Sequence, residues 1–293
     1  MDVRNPIRGY LWASASILCW GAMFPIGRVL MTDGIVAPSM LAMLRYLIAA
    51  PVLFAVGFAT QGRAAMVPTR KSDWLAIAGL GLVGSALMAF LLFVAQKTVS
   101  SVGASLLEAY VPIQVLLIGI LAGHGTTLRQ VFGIVLGFIG SMMVLKALDF
   151  GGLQLGGLSM GDLWIFLSGL CWALYTAWGR PVANRMGGIA FTSWTVLFGG
   201  LWLLLYNIAT RTFALPDSAA GWGGVLFLAF FPTAIAFFGW NAAQRHISLA
   251  RLSFMEYFTP LVAAACGMLI GEMPTPCQWL GAVVVIVSAF FQS

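Results

Sequence analysis

Charge is what this chain has least of. Only 8% of its 293 residues are Asp, Glu, Lys or Arg, against roughly 25% in a soluble domain. A water-exposed surface cannot be covered with so few. Histidine is confined to His124 and His246, and cysteine to Cys19, Cys171, Cys266 and Cys277, with no C-x-x-C spacing. That excludes a metal framework and a disulfide scaffold, and the cysteines read as small apolar side chains. No phosphate-cradling glycine loop is present, so no cofactor is expected and ATP-driven pumping would require a partner. Gly84–Ser85 and Ser168–Gly169 evoke a serine nucleophile only in isolation, because both histidines fall in expected loops and no general base lies within an apolar run. The chain is not read as an enzyme.

What is abundant is apolar sequence, 61% of the total. A helix needs about 20 residues at 1.5 Å each to cross a hydrocarbon core of about 30 Å. Runs of that length lie near 9–29, 36–59, 74–95, 102–122, 128–146, 161–180, 190–210, 222–243, 249–270 and 277–292, which makes ten. They are far longer than barrel strands, and backbone polar groups in lipid must be satisfied internally, so the fold class is all-α integral membrane. The connectors leave no room for a water-soluble catalytic domain. The first run has the basic flank and apolar stretch of a secretory signal, but its recurrence in mid-chain argues for a permanent helix.

That recurrence is direct. Setting residues 11–30 over 163–182, at an offset of 152, matches Leu11, Trp12, Ser16, Leu18, Cys19, Trp20, Gly27 and Arg28 with their counterparts, eight identities in twenty. At an offset of 148, Gln96, Ser100, Ser105, Glu108, Pro112, Gly119, Leu121, Gly123, Gln130 and Gly133 meet Gln244, Ser248, Ser253, Glu256, Pro260, Gly267, Leu269, Gly271, Gln278 and Gly281. The expected organisation is two five-helix repeats, 1–148 and 149–293. An odd number of spans per unit makes the second unit enter the bilayer from the opposite side, giving an inverted pair suited to alternating access.

Orientation follows from the basic residues. An inside N-terminus puts Arg4, Arg8, Arg63, Arg70, Lys71, Arg129, Arg180, Arg185, Arg245 and Arg251 inside, and Arg28, Lys97, Lys146 and Arg211 outside. Ten against four predicts both termini in the cytoplasm. The net charge of +6 is thereby accounted for as topology, with no nucleic-acid partner implied.

Two tandem five-helix units, each with a proline-bearing fourth helix and a Gly-rich fifth, resemble the EamA-type branch of the drug/metabolite transporter superfamily. The resemblance covers essentially the whole chain and implies a ten-helix exporter of small metabolites. Within that branch the chain is similar to bacterial inner-membrane exporters of amino acids, aromatic ones included. Proton-coupled efflux of amphipathic cations is the alternative within the transporter class, and a nontransporting scaffold or sensor the alternative outside it.

The charges inside the spans then acquire meaning. Ser105, Glu108, Pro112, Gly119 and Gly123 step by 3, 4, 7 and 4, one face of a helix, and Ser253, Glu256, Pro260, Gly267 and Gly271 repeat the stripe. A carboxylate at mid-bilayer costs about 2.5–3.5 kcal/mol on insertion scales, so this face is expected to line a cavity. Pro112 and Pro260 lack the N–H that would bond the carbonyl of Glu108 or Glu256 four residues back, so the helix is expected to weaken at the acid. The freed carbonyl and carboxylate suit a substrate ammonium group or an exchanged proton. The second reading pairs each glutamate with a basic residue such as Arg45, the lone charge of the second span, for assembly alone; the repeat counterpart of Arg45, near Ser193, carries no charge.

Aromatic walls complete the expected substrate pathway. Trp20 and Trp172 are repeat mates, with Ser16 and Ser168 one turn away; Tyr110 and Tyr257 follow the glutamates, and Trp240 and Asn241 lie late in the eighth span. Trp12, Trp74, Trp164 and Trp222, near span ends, read as interfacial belt residues. The cavity is expected between spans 1, 3, 4, 6, 8 and 9. "GIVLGFIG" at 133–140 contains G-x-x-x-G, which permits close helix approach; packing within the bundle is expected there, with a monomer as the functional unit and lipid and a small molecule as partners.

Overall fold

The computed structural model describes residues 5–108, 111–121, 127–144, 148–153, 159–247, 255 and 258–292. Its elements are α1 (Pro6–Thr32), α2 (Pro38–Gln61), the short α3 (Arg63–Met66), α4 (Lys71–Ala95), α5 (Ser101–Glu108), α6 (Val111–Leu121) and α7 (Leu128–Val144). After a two-residue antiparallel ladder, β1 (Leu148–Asp149) with β2 (Gly152–Leu153), come α8 (Met160–Met186), α9 (Gly188–Ala209), α10 (Ala219–Ala243), α11 (Thr259–Met268) and α12 (Pro276–Gln292). Six of these, α1, α2, α4, α8, α9 and α10, are long and apolar enough to cross a membrane; α7, α11 and α12 contain shorter apolar stretches.

Helix starts are set by local chemistry. The Asn5 side chain accepts from the amides of Ile7 and Arg8 while Pro6 occupies the first turn, where a missing N–H costs nothing. Ser159 and Asp162 form a reciprocal capping box at α8. These caps lie outside the apolar runs; α1 and α8 extend beyond the spans 9–29 and 161–180 expected from hydropathy, α8 chiefly at its C-terminal end. The starts of α7 and α12 share one device: Gln130 accepts from the amide of Thr127 at 3.0 Å, and Gln278 from that of Thr275 at 3.0 Å, 148 positions later.

Two long helices are broken midway by π turns, at Gly81–Leu87 in α4 and Phe230–Ile235 in α10. These segments correspond at the same offset of 148. In α10 the cause is visible: Pro232 has no N–H for the carbonyl of Leu228, and the hydroxyl of Thr233 donates to that carbonyl instead, at 2.7 Å. Pro260 lies in the first turn of α11, and the helical stretches α5 and α6 flank residues 109–110.

The halves interleave. Helix α1 packs on α10 and α11, α8 on α4 and on α5 and α6, α2 on α9, and α7 on α12. Exchanging each helix for its sequence counterpart leaves this set of pairings unchanged. Close approach is licensed by glycine: a Cβ at Gly140 would lie 2.9 Å from the carbonyl oxygen of Gly281, so the G-x-x-x-G region is met by α12 of the same chain. The largest buried cluster runs through Phe24, Met40, Leu41, Tyr46, Leu92 and Phe93, whereas Leu11, Leu75, Leu121, Phe132, Trp178 and Phe290 are exposed on the perimeter, as a lipid-facing surface requires.

Candidate functional site

A cavity opens where α1, α2, α4, α5, α6, α8, α10 and α11 converge, lined by Trp20, Met23, Arg45, Met88, Leu92, Ser105, Val111, Trp172, Phe237, Thr259 and Pro260. About 90 Å³ of it is open to the centre of a water molecule. One water needs about 10–15 Å³ on that measure, so the space accommodates a small organic side chain.

Its walls are fixed by bonds between the halves. The Ser16 hydroxyl donates to the carbonyl of Ala236 at 2.9 Å, and the Ser168 hydroxyl to that of Met88 at 2.9 Å. Both donors and acceptors are repeat mates, and each acceptor immediately follows a π segment. One turn beyond each serine, the tryptophans turn to a common neighbour: Trp20 meets Phe237 edge-on at 5.9 Å, and Trp172 lies nearly parallel to it at 6.4 Å. Trp20 also donates from Nε1 to the carbonyl of Pro232 at 2.9 Å and contacts Trp240 at 5.0 Å, while Trp172 stacks on Tyr175 at 5.0 Å.

Arg45 supplies the charge. It is 3% exposed. Its Nε donates to Thr233 Oγ1 at 3.1 Å, its Nη1 approaches the sulfur of Met23 at 3.1 Å, and the guanidinium carbon lies 4.8 Å from the ring centre of Tyr46 and 5.6 Å from that of Phe93. Among the described residues no carboxylate lies within ion-pair distance of it.

The two ion pairs that are described sit at opposite ends of the bundle. At one end Arg28 faces Glu272 at 3.5 Å and donates to the carbonyl of Gln96; Glu272 also accepts from the amide of Ser101 at 2.7 Å, joining α1, α4, α5 and the turn after α11. Gly271, at φ +84°, makes the left-handed turn that sends the chain back there. At the other end Arg185 of α8 pairs with the buried Asp73 of α4.

Of the residues expected from sequence, Trp20, Trp172, Ser105 and Pro260 meet at the cavity. Trp240 stands behind Trp20; Asn241 donates to the carbonyl of Phe237 at 2.7 Å and abuts Gly188. Tyr110, Ser253, Glu256 and Tyr257 lie outside the described residues, as do the side chains of Glu108 and Pro112. Sequence reasoning missed Phe237, Met23, Thr259 and the π segments. Met23 follows Trp20 by three positions, a helical spacing that points to it; Phe237 corresponds to Ala89 and leaves no repeat signal. No cluster of three or more His, Cys, Asp or Glu suited to a metal occurs among the described residues.

The pattern of the EamA-like transporter family matches residues 7–146 and again 159–293. The chain is similar to the uncharacterized transporter YyaM of Bacillus subtilis (strain 168), 28% identical over 277 residues, 93% of this chain and 89% of that one. It is also similar to the uncharacterized inner membrane transporter YedA of Escherichia coli (strain K12), 28% identical over 284 residues, 96% of this chain and 88% of that one. An uncharacterized transporter of Archaeoglobus fulgidus is 24% identical over 288 residues, 96% of each. A crystal structure superposes with a TM-score of 0.68 over 97% of this chain and 96% of its own, at 22% identity, a likeness of fold.

Proposed function

The chain belongs to the EamA-like transporter family, and from that premise we propose that it is a secondary exporter of small metabolites, amino acids including aromatic ones foremost, working by alternating access of two inverted five-helix repeats, 1–148 and 149–293. The observation that carries the proposal is the cavity itself: tryptophans from the first helix of each half both meet Phe237 in its wall, where an apolar side chain can be held. The reciprocal bonds of Ser16 and Ser168 support two equivalent halves. The ion pairs at opposite ends support a bundle that parts at one end while it is held at the other.

In this reading the membrane is a bacterial inner membrane, as in the name of YedA, both termini are cytoplasmic, and the carrier works as a monomer. Glu108, Glu256, Ser253, Tyr110, Tyr257, Trp240 and Asn241 border the pathway, and Pro112 and Pro260 interrupt the helices that gate it.

The test is uptake of radiolabelled phenylalanine, threonine and a cationic dye into proteoliposomes, with Glu108→Gln and Glu256→Gln beside the intact protein and with and without an imposed pH gradient. Amino-acid flux is the expected result. Gradient-driven dye flux lost in either variant, with no amino-acid flux, replaces the proposal with a proton-coupled drug pump.

A further inference from the structure

We propose that Arg45 receives a carboxylate of the carried molecule, so that the substrate class is amino acids or other carboxylates bearing an apolar side chain; this rests on the transport reading above. A guanidinium has five N–H donors in a planar fork that matches a carboxylate bidentately. Among the described residues Arg45 meets a single oxygen acceptor, Thr233 Oγ1, and otherwise a thioether and two ring faces. These soft neighbours hold the cation in place without neutralising it. A charge 3% exposed and lining a cavity in an apolar bundle is compensated when an anion enters.

A second polar group points to the same space. Thr259 Oγ1 is buried, lines the cavity and has no hydrogen-bond partner among the described residues, so a hydroxyl stands ready for a ligand's polar end. The rest of the lining, Trp20, Trp172, Phe237, Met88 and Leu92, is aromatic or apolar, which suits the remainder of such a molecule. The charge is no requirement of the shared helix packing either: at the corresponding position of the other half, Ser193 satisfies its hydroxyl on the carbonyl of Ile189 at 2.7 Å within its own helix. An internal counter-ion is the rival account, and it predicts no selectivity for carboxylates.

The experiment uses the full chain in proteoliposomes, with counterflow of radiolabelled L-phenylalanine and of radiolabelled 3-phenylpropanoate as reporters. Unlabelled L-phenylalanine, 3-phenylpropanoate, phenethylamine and L-phenylalaninamide compete. In the intact protein the two carboxylates are expected to compete about tenfold or more better than the two molecules lacking one, the scale of a charged hydrogen-bonded contact. In Arg45→Gln that ratio is expected to fall towards one, and in Arg45→Lys to remain partly, because lysine keeps the charge and loses the fork. Equal competition by phenethylamine in the intact protein overturns the proposal, as does an undiminished ratio in a folded Arg45→Gln. Should Arg45→Gln fail to fold, the competition series on the intact protein decides alone. Carriage of 3-phenylpropanoate but no amino acid, with the ratio dependent on Arg45, upholds this inference while ending the amino-acid reading. Flux of a cationic dye that no carboxylate inhibits ends both.

Discussion

Trp20 and Trp172 do different work from the same position in their halves. The indole of Trp20 is tied through Nε1 to the carbonyl of Pro232, whereas Trp172 is positioned by stacking on Tyr175. Both rings reach Phe237; under the proposed function an aromatic ligand would replace water against these flat apolar surfaces, a contact worth about 1 kcal/mol beyond simple burial. Trp172→Ala is accordingly expected to raise the KM for phenylalanine about fivefold and to leave that for threonine nearly unchanged, measured as initial rates in proteoliposomes. Thr233 shows how much one hydroxyl can carry: it donates to the carbonyl that Pro232 cannot satisfy and accepts from Arg45. Thr233→Val keeps the shape and removes both bonds, at an expected cost of about 1–2 kcal/mol, while Thr233→Ser retains most of the stability; thermal melts in detergent compare them.

At the scale of the element, two features govern where helices bend and how closely they meet. The π turns in α4 and α10 interrupt the backbone ladder beside the cavity, and the carbonyls just after them are taken up by serines of the opposite half. Each π segment turns one face inward, with Gly84, Ser85 and Ala86 in α4 and Pro232, Thr233 and Ala234 in α10 buried, so irregular backbone there meets protein on that side. The pairing of α7 with α12 instead depends on a missing side chain. At Gly140 a Cβ meets backbone atoms of α12 at 2.9 Å, and backbone cannot swing aside. Gly140→Leu is therefore expected to destabilise by about 1–3 kcal/mol. Gly79→Leu, where nothing lies within 4 Å, is expected to leave the melting temperature nearly unchanged.

For the whole molecule, the interleaving of the halves means that neither buries its own core. Helix α1 lies against α10 and α11, α8 lies against α4, α5 and α6, and the cavity is lined from both sets. The two described ion pairs, Arg28 with Glu272 and Arg185 with Asp73, tie the bundle at its opposite ends. Topology is directly testable on exposed positions. In a background freed of the four native cysteines, Lys97→Cys is expected to react with an impermeant maleimide in intact cells, and Lys71→Cys only after permeabilisation. The reverse pattern inverts the orientation without touching the cavity.

The sequence by itself determined the membrane class, the positions of the long spans, the twofold repetition and the pairing of Trp20 with Trp172. These follow from hydrophobic length and from residue identities at constant offset, both local properties of a chain that must satisfy its own backbone in lipid. The capping pair Gln130 and Gln278 was legible in the same way, as a repeat match, before its hydrogen bonds to Thr127 and Thr275 gave it a purpose. Only the tertiary structure decided that both tryptophans meet Phe237, that Thr233 takes over for Pro232, and that Arg45 lies among a thioether, a hydroxyl and two rings. Those contacts join residues as far as 217 positions apart, as between Trp20 and Phe237. They depend on which helix faces which, a property of packing that hydropathy does not encode.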